Sequence, residues 1–172
     1  QLTLVDTGLR IAPKRVVAAL RWLGYNPADV TRIVLTHAHP DHAGGLAKLA
    51  AQTAATVTAH ERDASYLRTG KSPARDATMT TGRLLNRLGP GKFAATEVGS
   101  ELVDGQVLEV GGGLDVIHTP GHTPGHVALL HRGSGILITG DSIFNVRGMR
   151  WSPGPPEATA TDAGSVSGPI SR

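Results

Sequence analysis

One stretch narrows what this chain can fold into more than any other. Thr36-His37-Ala38-His39-Pro40-Asp41-His42 closes a run of β-branched and apolar residues, Thr31-Arg32-Ile33-Val34-Leu35. Three histidines and an aspartate within six residues are poor packing material, because every one carries polar atoms that a core would have to satisfy. In an extended backbone, side chains two apart point the same way, so His37 and His39 can converge on one point. Pro40 blocks continued strand pairing. Asp41 and His42 then stand at a turn, before a helix-like segment from Ala43 to Ala51, and face a second point nearby. Imidazole and carboxylate are the ligand set of zinc and similar divalent ions. A His-His cluster beside an Asp-His cluster suggests two metals sharing a ligand.

With the apolar strand before it and Gly44-Gly45-Leu46 after it, this H-x-H-x-D-H string resembles the signature of the metallo-β-lactamase superfamily of hydrolases. The resemblance implies an α/β fold, a four-layer αββα sandwich with the site at one edge of two sheets. Val5-Asp6-Thr7-Gly8 resembles a strand of that fold whose aspartate supports the metal loop by hydrogen bonding. On its own chemistry Asp6 could equally be a turn residue before Gly8.

The rest of the chain alternates strand and helix. Leu2 to Val5 reads as a short buried strand. Pro13 to Gly24 reads as an amphipathic helix, with Val16, Val17, Leu20 and Leu23 at helical spacing, proline in its first turn and glycine at its end. After a turn at 26–29 comes the strand Ile33 to Thr36, then a helix over 44–51 and a strand over 56–59, an alternation typical of α/β layers. His60 ends that strand, as a surface or core residue or as a neighbour of the metal loop. Residues 61–92 read as a variable insertion, with helices near 62–68 and 78–88, and as a candidate substrate-covering segment. From Glu97 the texture is strands and turns: Asp104-Gly105 between Leu102 and Val107, then strands over 114–117, 127–130 and 136–138. Gly111-Gly112-Gly113 lacks the lysine and following helix of a phosphate loop.

His118-Thr119-Pro120-Gly121-His122-Thr123-Pro124-Gly125-His126 is the second chemical stretch, and Thr139-Gly140-Asp141-Ser142 the third. The first resembles the superfamily's second ligand motif, in which His122 takes the metal position and His126 a buried, hydrogen-bonded one. His118 is expected behind the ligands or lining a pocket, and His131 on the surface. Gly140-Asp141 after a buried strand resembles the bridging aspartate. The resemblance thus implies His37, His39 and His122 on one metal, Asp41 and His42 on the other, and Asp141 between them. The family supplies one further histidine after the bridging aspartate, whereas all eight histidines here lie at or before His131. The second of two zinc sites is therefore expected to be incomplete, with iron or manganese as other possible occupants.

Composition bounds the rest. The 172 residues suffice for one domain with a real core, built of Ala, Val, Leu and Ile because aromatics are only 3%. Residues 1–151 are expected to form that domain, incomplete at both ends relative to the family. The Ser-, Pro- and Gly-rich residues 152–172 are expected to be a disordered tail. The absence of cysteine excludes disulfides and thiolate-bound zinc. The net charge of +3 is spread over scattered basic residues without interleaved aromatics, so no nucleic-acid partner is expected. No apolar run reaches the length of a membrane span, and no signal-peptide pattern precedes the core. The expectation is a cytoplasmic protein without a membrane partner, its start at Gln1 processed or incomplete, and its oligomeric state open.

The resemblance implies a hydrolase of the glyoxalase II or lactonase-like branch, with a metal-activated hydroxide attacking an ester, thioester, lactone or amide of a small molecule. Asp41 and Asp141 would orient that hydroxide. Ser142 to Trp151 lacks the glycine and basic pattern expected of glyoxalase II itself. The alternative is a non-catalytic or single-metal relative, either a binding module or a mononuclear-iron enzyme like the persulfide dioxygenases.

Overall fold

A computed structural model describes residues 2–74, 80–87, 89–145 and 149–151. Its layering follows from the alternation along strand β2 (Val30–Val34). Ile33 points into a core shared with helices, whereas Val34 points into a second core shared with another sheet. β2 pairs in parallel with β1 (Leu2–Val5) and β3 (Thr56–His60), and β3 with β4 (Ser100–Leu102), giving the order β1-β2-β3-β4. Parallel neighbours need crossovers, and the helices supply them. α1 (Pro13–Trp22) links β1 to β2, α2 (Pro40–Ala43) and α3 (Leu46–Ala50) link β2 to β3, and α4 (Glu61–Thr69) and α5 (Thr80–Arg87) lie between β3 and β4. Leu20, Leu46, Leu49 and Leu67 from this helical layer are buried against Ile33, Val57 and Ala59.

The second sheet is antiparallel, in the order β5-β6-β7-β8: Val107–Leu108, Leu114–His118, Val127–His131 and Ile136–Ile138. Val116, Val127 and Leu129 on its inner face meet Val34 and Leu102 of the first sheet. This is the α/β architecture of the αββα sandwich, of which the described residues display one helical layer and both sheets. β9 (Ile143–Asn145) and β10 (Met149–Trp151) form a separate two-stranded ribbon. Among the described residues no helix is long and apolar enough to cross a membrane.

One departure from the sequence reading has a local cause. The helix expected over 44–51 begins earlier and is broken in two. Proline at the first helical position starts α2 at Pro40, so Asp41 and His42 are helical rather than in a turn. Gly44 and Gly45 then part α2 from α3, and a Cβ on Gly45 would stand 2.6 Å from the Thr7 carbonyl oxygen. The chain turn after β1 uses that space to lie directly on the metal loop. The turn expected at Asp104-Gly105 is present, and because β4 belongs to the first sheet and β5 to the second it carries the chain between sheets. Within the segment 61–92, α4 packs into the core, with Asp63, Ala64 and Leu67 burying one side of it. The expected helix over 78–88 is described only within 80–87, and the tail over 152–172 lies outside the described residues.

Leu129 is fully buried between the sheets, whereas Leu137, on the neighbouring strand β8, is 46% exposed. Leu129→Ala should therefore lower the unfolding free energy by about 2–5 kcal/mol and Leu137→Ala by well under about 1 kcal/mol. Urea titration followed by circular dichroism checks both.

Candidate metal centre

The first ligand loop is held from beneath by Asp6. Its carboxylate accepts hydrogen bonds from the Thr36 backbone N–H at 2.8 Å, the Thr36 hydroxyl at 2.8 Å and His42 Nδ1 at 2.8 Å. Asp6 takes a φ of 59°, the only positive value of a non-glycine among the described residues. Left-handed backbone is costly for such a residue and persists where surrounding bonds over-determine it. Its own N–H is bonded to the Val34 carbonyl, and the Thr7 N–H and hydroxyl both donate to the His42 carbonyl. Because the Thr36 hydroxyl spends its proton on Asp6, its lone pair accepts from His37 Nδ1 at 3.1 Å. His37 is thereby fixed with Nδ1 protonated and Nε2 carrying a lone pair, and His42 is fixed with Nδ1–H on Asp6 and Nε2 turned toward Asp141.

The second loop arrives from the other sheet. The Val127 N–H donates to the Thr36 carbonyl, joining β7 to the end of the first loop. His122 Nε2 lies 2.9 Å from His39 Nδ1. His126 is fully buried, and its Nε2 accepts the Asp141 backbone N–H at 3.0 Å. Nδ1–H of the same ring therefore donates to the Thr119 hydroxyl at 2.8 Å. His126 thus positions Asp141 through the backbone, and although its ring packs against His37 and His122 it belongs to neither three-residue ligand set.

Two such sets form among the described residues: His37, His39 and His122, and His37, His42 and Asp141. In each, the ligand atoms lie within 4.8 Å of one another. Asp141 stands between them, with Oδ1 3.1 Å from His42 Nε2 and Oδ2 3.4 Å from His122 Nε2. Asp41 is in neither set. Its side chain is 58% exposed at the mouth, with Oδ2 3.8 Å from His42 Nε2.

The titration of these histidines diverges with their surroundings. Burial, reinforced by the surrounding imidazoles, pushes His37 far below the usual histidine value. Burial also lowers His122, against the pull of Asp141. Burial would lower His42 too, but hydrogen bonds to Asp141 and Asp6 outweigh it and raise the ring to about 10. The His42 hydrogen bond in turn lowers Asp141. Without a cation, His42 is an imidazolium clasped between two carboxylates.

The residue that sequence reasoning missed is Asp63, 1% exposed on α4. One oxygen accepts the Ala38 N–H at 2.9 Å and the Thr123 hydroxyl at 2.7 Å, and the other accepts the Gly125 N–H at 2.7 Å. It ties the first ligand loop to the second. A Cβ on Gly125 would come within 2.5 Å of the Asp63 backbone nitrogen, so the close approach requires glycine there. His60 and His118 stack face to face with centroids 4.0 Å apart. His60 Nδ1 caps α4 by accepting the Arg62 N–H, and His118 Nε2 donates to the Pro124 carbonyl. They brace the two loops from behind and do not join either ligand set. His131 is bonded to Ser134 and Gly111 at the end of β7, away from the cluster.

A sequence model described as the metallo-beta-lactamase superfamily matches residues 1–170. Among similar proteins, the uncharacterized protein YobT of Bacillus subtilis is 37% identical over 150 residues, covering 86% of this chain and 59% of its own length. A hydroxyacylglutathione hydrolase of Cereibacter sphaeroides is 35% identical over 127 residues, covering 74% of this chain and 39% of its own. Among solved structures, a metallo-beta-lactamase of Cronobacter sakazakii superposes with a TM-score of 0.62 at 32% identity, over 74% of this chain and 47% of that one. The chain spans about half the length of the relatives it matches.

Two outcomes follow from this geometry. Asp63→Asn keeps the shape but leaves one oxygen to serve two sides, so metal affinity should fall about 10–100-fold; a competition titration against a chromophoric chelator measures it. The second concerns pH. Burial, with a smaller contribution from His118, lowers His60 to about 4, below the roughly 6.5 of an unfolded histidine. Between those values the unfolded chain binds the extra proton, so stability rises with pH across the window. His60 therefore contributes in full above about pH 6.5, and that contribution is lost as pH falls toward 4. His126, also lowered to about 4 by burial, acts in the same direction. Urea midpoints of metal-free protein should drop from pH 7.5 to pH 5, and His60→Asn, which can still cap α4, should shrink the drop.

Proposed function

The chain belongs to the metallo-beta-lactamase superfamily, and from that membership and its ligand geometry we propose that it carries the metal-dependent hydrolytic site of an enzyme acting on an activated carbonyl. The observation that carries the reading is His37 Nε2. It is a buried nitrogen with no hydrogen-bond partner among the described residues, on a ring that packs against those of His39, His42 and His122. An unsatisfied buried polar atom costs about 1–3 kcal/mol, and a cation is the partner its neighbours would share. The donors fit a divalent ion of the zinc type: imidazole nitrogens with locked tautomers and a carboxylate, with no thiolate. His37, His39 and His122 would hold one ion, and His42 with Asp141 and the exposed Asp41 a second. When bound, such ions supply Lewis acidity, acidifying water toward neutrality and polarising a carbonyl.

The chain's own residues would do the rest. Asp141, lowered in pKa and fixed by the His126 hydrogen bond to its N–H, stays anionic and faces both ligand sets. Asp41, at the mouth, can accept a proton from the attacking water and return it to the leaving group. Thr36 and Asp6 hold the His37 and His42 tautomers throughout. For substrate, the relatives named hydroxyacylglutathione hydrolases favour a thioester first, with lactones and other esters next.

A second reading is a single-metal site. Among the described residues only one set is all imidazole, and the other shares His37 with it. Metal analysis separates the readings: two ions per chain with thioester hydrolysis support the first, and one ion in the all-imidazole set without hydrolysis supports the second.

His37→Leu should abolish metal binding at the all-imidazole set and any hydrolysis with it. Because it removes an unsatisfied buried nitrogen, the same change should leave metal-free stability undiminished, or raise it by about 1 kcal/mol. Paired urea titrations in chelator and in excess zinc test this. Loss of metal-free stability by several kcal/mol would contradict the assignment.

A further inference from the structure

Helix α1 buries Pro13 and Leu20 toward the sheet, and Val16 and Val17 are packed beside them. The opposite stripe faces outward. Arg15, Ala18 and Trp22 recur at helical spacing on that side, and Ile11 precedes them in the same phase. Trp22 is 83% exposed and Ile11 71%, and Leu9, Leu23 and Tyr25 at the two ends of the helix are exposed as well. Half of the exposed large hydrophobic residues described for the chain thus come from one short segment.

The charge of that segment is one-signed. Between Asp6 and Asp29 there is no acidic residue, while Arg10, Lys14, Arg15 and Arg21 are all basic. Lys48 of α3 adds a fifth cation. With Arg10, Lys14 and Ile11 it lines an open groove of about 450 Å³. None of the five makes an ion pair among the described residues.

We propose that this face of α1 docks the protein on an anionic lipid surface, with Trp22 and Ile11 entering the interface and the flanking cations meeting lipid phosphates. The inference is independent of the hydrolase reading. Contiguous exposed apolar residues mark interaction surfaces. A helix with tryptophan and aliphatic residues between arginines and lysines has the composition of one lying in a membrane interface, and indole suits that boundary because it is apolar with a polar N–H. A second copy of the chain fits poorly, since a two-fold contact would set these cations against themselves. Peripheral docking needs no spanning helix.

Co-sedimentation of the whole chain with phosphatidylcholine vesicles, with and without phosphatidylglycerol, tests the proposal. Binding to the anionic vesicles alone is expected, weakened by physiological salt, with a blue shift of tryptophan emission that Trp22→Phe removes. Lys14→Glu combined with Arg15→Glu should weaken partitioning by about thirtyfold or more, each cation near an anionic surface being worth about fivefold. Both side chains are exposed, so circular dichroism should be unchanged. Should the helical signal be lost, Trp22→Ser decides instead by weakening binding with no change of charge. No binding to anionic vesicles, equal binding to neutral ones, or undiminished binding by the charge-reversed chain would each overturn the proposal. Binding to soluble polyglutamate without binding to vesicles would also overturn it, and would assign the face to an acidic protein.

Discussion

The ligand cluster depends on one buried carboxylate that ligates nothing. Asp63 receives N–H and O–H donors from both ligand loops, Ala38 on one side and Thr123 and Gly125 on the other. Burial raises its pKa, and the three donors pull it back. Removing a buried carboxylate's donors would leave an expensive charge, so the two loops are held together by what it would cost to part them. His39 and His122 come from residues 83 apart in sequence, and this clasp brings their nitrogens to 2.9 Å. Neither sheet alone could do that. β2 delivers one loop, β7 the other, and α4 carries the group that joins them.

That division explains what could be read from the sequence. The string from His37 to His42 is legible because several ligand-type residues in one turn have no comparable packing role. Its supports are not legible in the same way. In Glu61-Arg62-Asp63, an aspartate in the first turn of a helix has a sufficient local explanation in the helix dipole, and nothing nearby in the chain hints that its partners lie at 38, 123 and 125. His126 and His122 sit in near-identical Thr-Pro-Gly-His contexts that residue chemistry alone does not separate; the family resemblance does, and the fold gives the reason, since one ring meets His39 and the other the Asp141 backbone. Which sheet each later strand joins is likewise not legible locally. Asp104-Gly105 is good turn chemistry, but turn chemistry does not say whether the strands it joins pair with each other.

The histidines also show how little residue type fixes charge. His42 is raised to about 10 and His126 lowered to about 4, although both rings lie around the same Asp141. The difference is in what each nitrogen meets. His42 directs both nitrogens at carboxylates, Asp6 and Asp141, so its protonated form has two anionic acceptors. His126 must keep Nε2 unprotonated to accept the Asp141 N–H, and gives its one proton to a neutral hydroxyl. A proton on His126 would turn an acceptor into a second donor facing a backbone donor. Deleting that lone pair would cost Asp141 its backbone anchor rather than its charge.

The same reasoning orders the two ligand sets. In the all-imidazole set, His37 and His122 are depressed in pKa and so stand unprotonated. A cation arriving there displaces no proton from them and relieves the unsatisfied His37 nitrogen. At the other set, a cation must first take the place of the proton that His42 shares with Asp6 and Asp141. On the proposed reading, one position is therefore prepared for a metal and the other is filled by a proton that a metal would have to displace. That asymmetry arises within residues 6–141 alone, from which nitrogen faces a lone pair and which faces a carboxylate.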